Sequence, residues 1–304
     1  MTIINFKFAT FLQRIAQIRK LFLLSITACT VSFFSVSAMA ELTIEISEGY
    51  DNAIPIAIVP FGYEVQAPMS SAAPKNPALT QSPVDLAQII AADLRRSGHF
   101  NPLSNAQLPA QPTEIEAIDY GQWRALDLDN LLMGKVIDEG NGFYQVEMRF
   151  MDVLRKNQVI GKRWNHIPKS SLRQIAHQIS DSIYEELTGV RGAFNTQISY
   201  VTLRKIGGKR HYTLEVADSD GFNPQPILKS YQPIMSPSWS PDGKKLAYVS
   251  FENGRSQIFI QSLDGKYRQN VAKFKGINGA PAWSPDGSKL AMTLSKDGSA
   301  DIYV

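Results

Sequence analysis

The five-residue segment WSPDG occurs twice in this chain, and such a repeat is found in few architectures. Ser238–Gly243 reads SWSPDG, and 44 residues later Ala282–Gly287 reads AWSPDG. A Leu-Ala pair follows both copies at the same distance, beginning at Leu246 and Leu290. Repeat units of 40–45 residues that hold several short strands are typical of β-propeller blades. The repeat therefore predicts an all-β propeller in the second part of the chain.

The repeated turn has a definite backbone requirement. Pro241 presets φ at the first central position of a type I turn, Asp242 suits the second, and Gly243 takes the φ > 0 position that follows. We expect Trp239 to pack between neighbouring blades as a core residue rather than to stack on a ligand. The second copy repeats each of these roles with Trp283, Pro285, Asp286 and Gly287.

The first 40 residues have the pattern of a secretory signal peptide. Basic residues precede an apolar run from Leu21 to Val36, and the run leads to Ala38-Met39-Ala40. Small residues at Ala38 and Ala40 suit leader peptidase, so we expect cleavage before Glu41. Two alternatives remain open. The segment could stay as an N-terminal membrane anchor, or cleavage before Cys29 could give an acylated lipoprotein.

Charge and cysteine content narrow the classes of function. The net charge is +3, but the first 40 residues carry four basic residues and no acid, so residues 41–304 have 27 basic and 28 acidic residues. A nearly neutral body lacks a general phosphate-binding field, which argues against nucleic acid as a partner. Cys29 is the only cysteine, so a cleaved chain has no disulfide, no thiol nucleophile and no cysteine zinc site.

Residues 41–190 have the alternating periodicities of an α/β domain. We predict a helix that begins with Ser82 as its cap and Pro83 in its first turn, and a long helix over Lys169–Leu187 that ends at Gly189. Tyr120–Ala125 suits a short helix, and a hairpin turn is expected at Gly140–Gly142. Strands are predicted at Ile54–Phe61, Leu131–Ile137, Phe143–Leu154 and Val159–Ile167.

The sequence resembles the TolB family of the Tol–Pal envelope system. The paired WSPDG units, the segment ELTIEISEGYDNAIPIAIVPF that starts at Glu41, and LTGVRGAF at Leu187–Phe194 carry the resemblance. It implies a signal peptide over 1–40, a TolB-type α/β domain over 41–190 and a propeller over 191–304. TolB propellers have six blades, whereas we count about three here, so we expect the sequence to be C-terminally truncated.

The resemblance also implies a function. TolB-like proteins are periplasmic adaptors without enzymatic activity, which maintain the outer membrane and support its invagination at cell division. Their first mature residues bind TolA, and their propeller funnel binds the lipoprotein Pal, which hides the N-terminal segment. Other outer-membrane proteins are further candidate partners. By its position directly after the cleavage site, the corresponding TolA-binding segment here comprises Glu41, Leu42, Thr43, Ile44, Glu45, Ile46 and Ser47. The same residues could also form an ordinary core strand.

No motif in the sequence indicates catalysis. The chain has no G-x-S-x-G, no H-E-x-x-H and no phosphate-binding loop, so we predict no catalytic, cofactor-binding or metal-binding residue. The four histidines are scattered, and His177 is expected to be solvated on the polar side of its helix. Asp138 and Glu139 suit a solvated turn, and Asp242, Asp264 and Asp286 are expected to be turn formers. The alternatives are the propeller of a secreted prolyl-oligopeptidase-like hydrolase and a propeller that binds a small ligand.

Overall fold

The structure is a computed structural model that describes residues 53–66 and 81–304. The predicted signal peptide, its cleavage site at Ala38–Glu41 and the predicted TolA-binding segment Glu41–Ser47 lie outside the described residues. The described part contains an α/β domain followed by three separate β-sheets, which confirms the predicted fold class. None of its helices is long and apolar enough to cross a membrane.

The first domain is built on one mixed sheet in the order β3-β1-β4-β5-β6. Strand β1 runs parallel to β3 and β4, and β2 pairs with the same β4 further along, whereas β4, β5 and β6 are antiparallel. The hairpin between β4 and β5 confirms the turn predicted at Gly140–Gly142. The strands are β1 Ile54–Ile58, β2 Gly62–Val65, β3 Phe100–Pro102, β4 Asn130–Gly140, β5 Phe143–Asp152 and β6 Asn157–Pro168.

Helices cover both faces of this sheet. On one face, α1 (Leu86–Arg96) and α3 (Leu172–Thr188) pack their apolar stripes against alternating strand residues such as Leu132 and Val146. On the other face, α2 (Tyr120–Arg124) places the fully buried Trp123 against a second cluster. A helical repeat of apolar residues at every third or fourth position produces such stripes, which is why the sequence predicts the two long helices α1 and α3.

The predicted start of the first helix is wrong by a few residues. The helix begins at Leu86, and its N-cap is Asp85, whose carboxylate accepts a hydrogen bond from the Gln88 amide at 3.0 Å. The Ser82 hydroxyl instead donates to the Val84 carbonyl at 2.7 Å, so it closes a turn before the helix. A carboxylate at the helix N-terminus also interacts favourably with the helix dipole, which favours the later start.

Three antiparallel sheets follow from Gln197 onward and confirm a count of about three propeller blades. The first and third have three strands each, and the second has four. Apolar residues of the first two sheets share one core, in which Leu214 and Val216 meet Tyr248 and Phe259. The strands are β7 Gln197–Ile206, β8 Lys209–Asp218, β9 Gln225–Ser230, β10 Ile234–Trp239, β11 Lys245–Ser250, β12 Gln257–Ser262, β13 Arg268–Ala272, β14 Asn278–Trp283, β15 Leu290–Leu294 and β16 Asp301–Tyr303.

The repeat extends to the backbone itself. Trp239 pairs with Leu246 and Trp283 with Leu290, so both copies have the same register. Each of the two strands also contains a bulge with a residue at positive φ, Ser236 at 50° and Ala280 at 47°. A proline follows each bulge residue. The two sheets therefore repeat an irregularity as well as a turn.

Candidate functional site

The α/β domain meets the first propeller sheet at a joint formed by the segment that follows α3. The helix ends at Gly189, which is left-handed with φ 71°. The Asp181 carboxylate, about two turns before the end of the helix, accepts hydrogen bonds from the amides of Phe194 at 2.7 Å and Asn195 at 3.2 Å. From the propeller side, the Ser219 hydroxyl donates to the Phe194 carbonyl at 2.6 Å. The connecting segment is thus held from both sides.

An ion pair crosses the same joint. The Arg173 guanidinium, on α3, contacts the Asp220 carboxylate in the turn between β8 and β9. The guanidinium also stacks over the Phe222 ring, with 4.1 Å from Cζ to the ring centroid. Asp220 has 8% of its side chain exposed. An ion pair of low exposure is screened less by salt than a surface pair, so it can fix the orientation of the helix against the sheet.

The expectation that His177 is solvated is wrong. Its side chain is only 3% exposed, and Nδ1 lies 2.7 Å from Oδ2 of Asp93, which is 1% exposed on α1. Asp93 also accepts a hydrogen bond from the Ser180 hydroxyl at 2.9 Å. Its other carboxylate oxygen forms an ion pair with the Arg96 guanidinium at 2.6 Å. A buried carboxylate needs such partners, and these three groups together satisfy it.

The other ring nitrogen of His177 faces the propeller. Nε2 is buried and has no hydrogen-bond partner within the described residues. Nε2 lies 3.8 Å from Oδ2 of Asp220. His177, Asp218 and Asp220 each have one potential metal-ligand atom in this place, and these three atoms lie within 4.8 Å of one another. A cleft of about 520 Å³, lined by His177, Asp218 and Phe222 among others, opens beside them.

Sequence reasoning missed this cluster for two reasons. His177 lies on a helix whose apolar stripe explains the helix without it, and its partner Asp93 is 84 residues away on another helix. Asp218 and Asp220 precede Gly221, so an Asp-Gly turn accounts for them. A clue was nonetheless present, because Asp93 lies between the apolar residues Ile90 and Leu94 on the inner side of α1.

The repeat residues form a second feature, at one edge of the propeller sheets. In each copy the serine hydroxyl donates to the aspartate two residues later, and the glycine amide donates to the serine carbonyl at 2.9 Å. The glycines have φ of 67° and 72°. The two turns lie side by side: a Cβ placed on Gly287 would be in van der Waals contact with Cδ of Pro241, at 3.6 Å. A groove of about 380 Å³ between them is lined by Ser240, Pro241, Asp242, Lys245, Trp283, Asp286 and Gly287.

These turns perturb the acidity of their carboxyl groups. The hydrogen bond from the Ser240 hydroxyl is the main reason that the pKa of Asp242 is lowered, and Ser262 does the same for Asp264. Hydrogen bonds from Ser284 and Ser288 lower the pKa of Asp286 to about 2. Hydrogen bonds to an ionised carboxylate favour the charged form. These aspartates are therefore turn formers, as expected.

The fold and the joint define a class: a propeller protein whose first sheet is fixed to an α/β domain. Family profiles match two successive parts of the chain. Residues 42–159 match the TolB amino-terminal domain, and residues 184–304 match the TolB beta propeller domain. Together with the relatives described next, these matches show that the chain belongs to the TolB family.

Similar proteins support the assignment at the level of whole sequences. The Tol-Pal system protein TolB of Hydrogenovibrio crunogenus is 61% identical over 250 residues, which are 82% of this chain and 55% of that protein. The protein of the same name from Nitrosococcus oceani is 48% identical over 81% of this chain and 54% of its own length. The crystal structure of TolB from Acinetobacter baumannii is 37% identical, with a TM-score of 0.70, over 84% of this chain and 58% of that chain. This chain thus spans about half the length of its relatives.

Proposed function

We propose that this chain is part of a periplasmic adaptor of the Tol–Pal system, without enzymatic activity, that links TolA to Pal. TolA would bind the first residues after the signal peptide, Glu41–Ser47, and Pal would bind the propeller. The role in the cell would be to maintain the outer membrane and support its invagination during division. The observation that carries the proposal is membership of the TolB family along both domains.

The joint between the domains supports an adaptor in which one partner influences the other. Arg173 of α3 and Asp220 of the first propeller sheet form an ion pair of low exposure, and Asp181 holds the connecting segment. A joint held by several specific contacts transmits a change of orientation better than a flexible linker does. Pal bound to the propeller would in this way alter the access of TolA to the N-terminal segment.

Deletion of residues 41–47 tests the assignment of the TolA site. We expect the mature chain to bind the purified periplasmic part of TolA, and we expect the deletion to abolish that binding in isothermal titration calorimetry. A matched control carries the same seven residues in scrambled order, which keeps length and charge but moves Leu42, Ile44 and Ile46 off one face. TolA affinity that is unchanged by the deletion would reject the assignment.

The Pal site requires the propeller of a full-length family member. In a chimera of residues 41–304 with the remaining blades of the Hydrogenovibrio relative, we expect Pal to bind with and without residues 41–47. Loss of Pal binding on deletion would place both sites in one segment and contradict the proposal.

Export is tested separately by the mass of the secreted protein. We expect the mature chain to be recovered from the periplasm with Glu41 as its first residue. A mature chain that starts at an acylated Cys29 would support the lipoprotein alternative, and an uncleaved chain in the membrane fraction would support the anchor.

A further inference from the structure

We propose that His177, Asp218 and Asp220 bind a divalent metal ion of the zinc class, which clamps helix α3 to the first propeller sheet. The helix supplies the imidazole, and the end of β8 and the turn after it supply two carboxylates. Because the ligands come from both domains, the ion would stabilise the joint itself.

The orientation of His177 is the first support. Nδ1 faces the Asp93 carboxylate at 2.7 Å, and since an ionised carboxylate only accepts hydrogen bonds, Nδ1 carries the proton. The lone pair of Nε2 is then free, and Nε2 lies 3.8 Å from Oδ2 of Asp220. Metal-binding histidines commonly donate their second ring N–H to a carboxylate, which fixes the tautomer and the ring orientation. Asp93, which is held by Arg96 and Ser180, would be the carboxylate that accepts this second N–H.

The spacing of the ligand atoms is the second support. Nε2 of His177 and Oδ2 of Asp220 are 3.8 Å apart, which exceeds a hydrogen bond. Two ligands of one tetrahedral zinc ion, each bound at about 2.0–2.1 Å, lie roughly 3.3 Å apart. A small rotamer adjustment would close that difference. Nε2 is buried without a partner among the described residues, which is costly for a polar atom unless another group binds it.

The balance of charge is the third support. Three carboxylates of the cluster, Asp93, Asp218 and Asp220, face two guanidinium groups, Arg96 and Arg173. The carboxylates therefore outnumber the guanidinium groups by one, which favours the binding of a cation. A site with one imidazole and two carboxylates suits a borderline divalent ion such as Zn²⁺ better than Ca²⁺, which prefers six or more oxygen ligands.

Arg173 competes with the ion, which provides a specific test. Its guanidinium contacts Oδ2 of Asp220, the same oxygen that lies nearest to Nε2 of His177. A metal ion must displace this contact or share the oxygen. Removal of the competing charge should therefore strengthen metal binding, an effect that a purely structural role of the cluster would not produce.

The experiment is calorimetric titration of the tag-free mature chain, residues 41–304, with ZnCl₂. We expect one saturable site in the unaltered protein. Asp218→Asn removes one ligand and should weaken the site by about tenfold or more. Arg173→Gln should tighten it several-fold. The melting temperature should rise with Zn²⁺ in the unaltered protein and in Arg173→Gln, because a ligand that binds only the folded state stabilises it.

His166→Asn is the matched control, because it removes an exposed histidine from β6, outside the cluster. Position 166 has a φ of 54°, which asparagine tolerates. This variant should bind Zn²⁺ like the unaltered protein. Co²⁺ provides an independent readout, since its visible absorption on binding should disappear in His177→Gln, a variant whose fold is checked by circular dichroism.

Three results would overturn the proposal. They are no saturable Zn²⁺ site in the unaltered protein, equal affinity in Asp218→Asn, and weaker rather than tighter binding in a folded Arg173→Gln variant. The absence of a Zn²⁺ site, or a site that is unaffected by Asp218→Asn, would make the cluster an ion-pair joint only.

Discussion

The indole N–H of Trp283 donates a hydrogen bond to the Ser238 carbonyl at 3.2 Å and thereby joins the third propeller sheet to the second. Ser238 precedes Trp239, the equivalent tryptophan of the previous repeat. The second copy of the motif therefore contacts the backbone of the first copy, directly beside the first tryptophan. Single sheets of a propeller cannot bury both faces alone, so this contact is part of what holds the repeats together.

Trp283→Phe should weaken the association of the two sheets. It removes the hydrogen bond and leaves the Ser238 carbonyl without its partner, which should lower the free energy of unfolding by about 1 kcal/mol in addition to the loss of ring contacts. Urea denaturation followed by circular dichroism measures the change. Trp239→Phe is the control, because that indole packs against the core of the first two sheets without a hydrogen bond among the described residues. Equal losses in both variants would show that the bond contributes nothing.

Asp286 should remain ionised in strongly acidic solution. Hydrogen bonds from Ser284 and then Ser288 lower the pKa of this carboxyl group from 3.8 to about 2. A depressed pKa in the folded state gives stability that is present above the unfolded value of 3.8 and is lost as the pH falls through about 2. Carboxyl carbon shifts in NMR spectra report the titration, and Ser284→Ala should raise the pKa. A midpoint of 3.8 in the folded protein would contradict the turn geometry.

Tyr63 should ionise only in strongly alkaline solution. Partial burial, and then the hydrogen bond that its hydroxyl donates to Asp138 at 2.9 Å, raise its pKa to about 12. The folded state therefore gains stability from this group below pH 10, the unfolded value, and loses it as the pH rises through about 12. Asp138→Asn should lower the pKa but leave it above 10, because burial is the larger cause. Tyr63→Phe assigns the signal in a tyrosine NMR titration.

Much of the fold could be predicted because it depends on local patterns. The apolar stripe of Lys169–Leu187 predicts a helix, which the structure has as α3, Leu172–Thr188. The 44-residue period predicts the sheets, and the Ser-Pro-Asp-Gly turn has the positive φ at Gly243 and Gly287 that its chemistry requires. Periodicity and turn chemistry act within a few residues of the chain, so the sequence displays them directly.

The cluster at the joint could not be predicted because its members are distant in sequence. On a helical wheel His177 lies near the polar side of α3, and only the position of α1 shows that this side faces Asp93. Asp220 has a local explanation in its turn, where its carboxylate accepts a hydrogen bond from the Phe222 amide at 3.0 Å. A residue with a sufficient local role gives no sequence signal of a second, long-range one.

Gly192 should tolerate no side chain, because the connecting segment passes close to α3. A Cβ at this position would lie 2.6 Å from Cα of Asp181, a backbone atom, and 2.5 Å from Oδ1 of the same residue. Gly192→Ala must therefore shift the segment and weaken the hydrogen bonds from the Phe194 and Asn195 amides to Asp181. We expect a loss of about 1–3 kcal/mol in the free energy of unfolding.

Hydrogen exchange can locate this effect at the joint. In Gly192→Ala the amides of Phe194 and Asn195 should exchange faster, whereas amides of the central strand β4 should change only with the global stability. Gly279→Ala is the matched control, because its Cβ would lie 3.8 Å from the nearest atom, a methyl group of Ile277, and a change within about 0.5 kcal/mol is expected. Unchanged exchange at Phe194 and Asn195 in Gly192→Ala would mean that Asp181 does not hold the segment in solution.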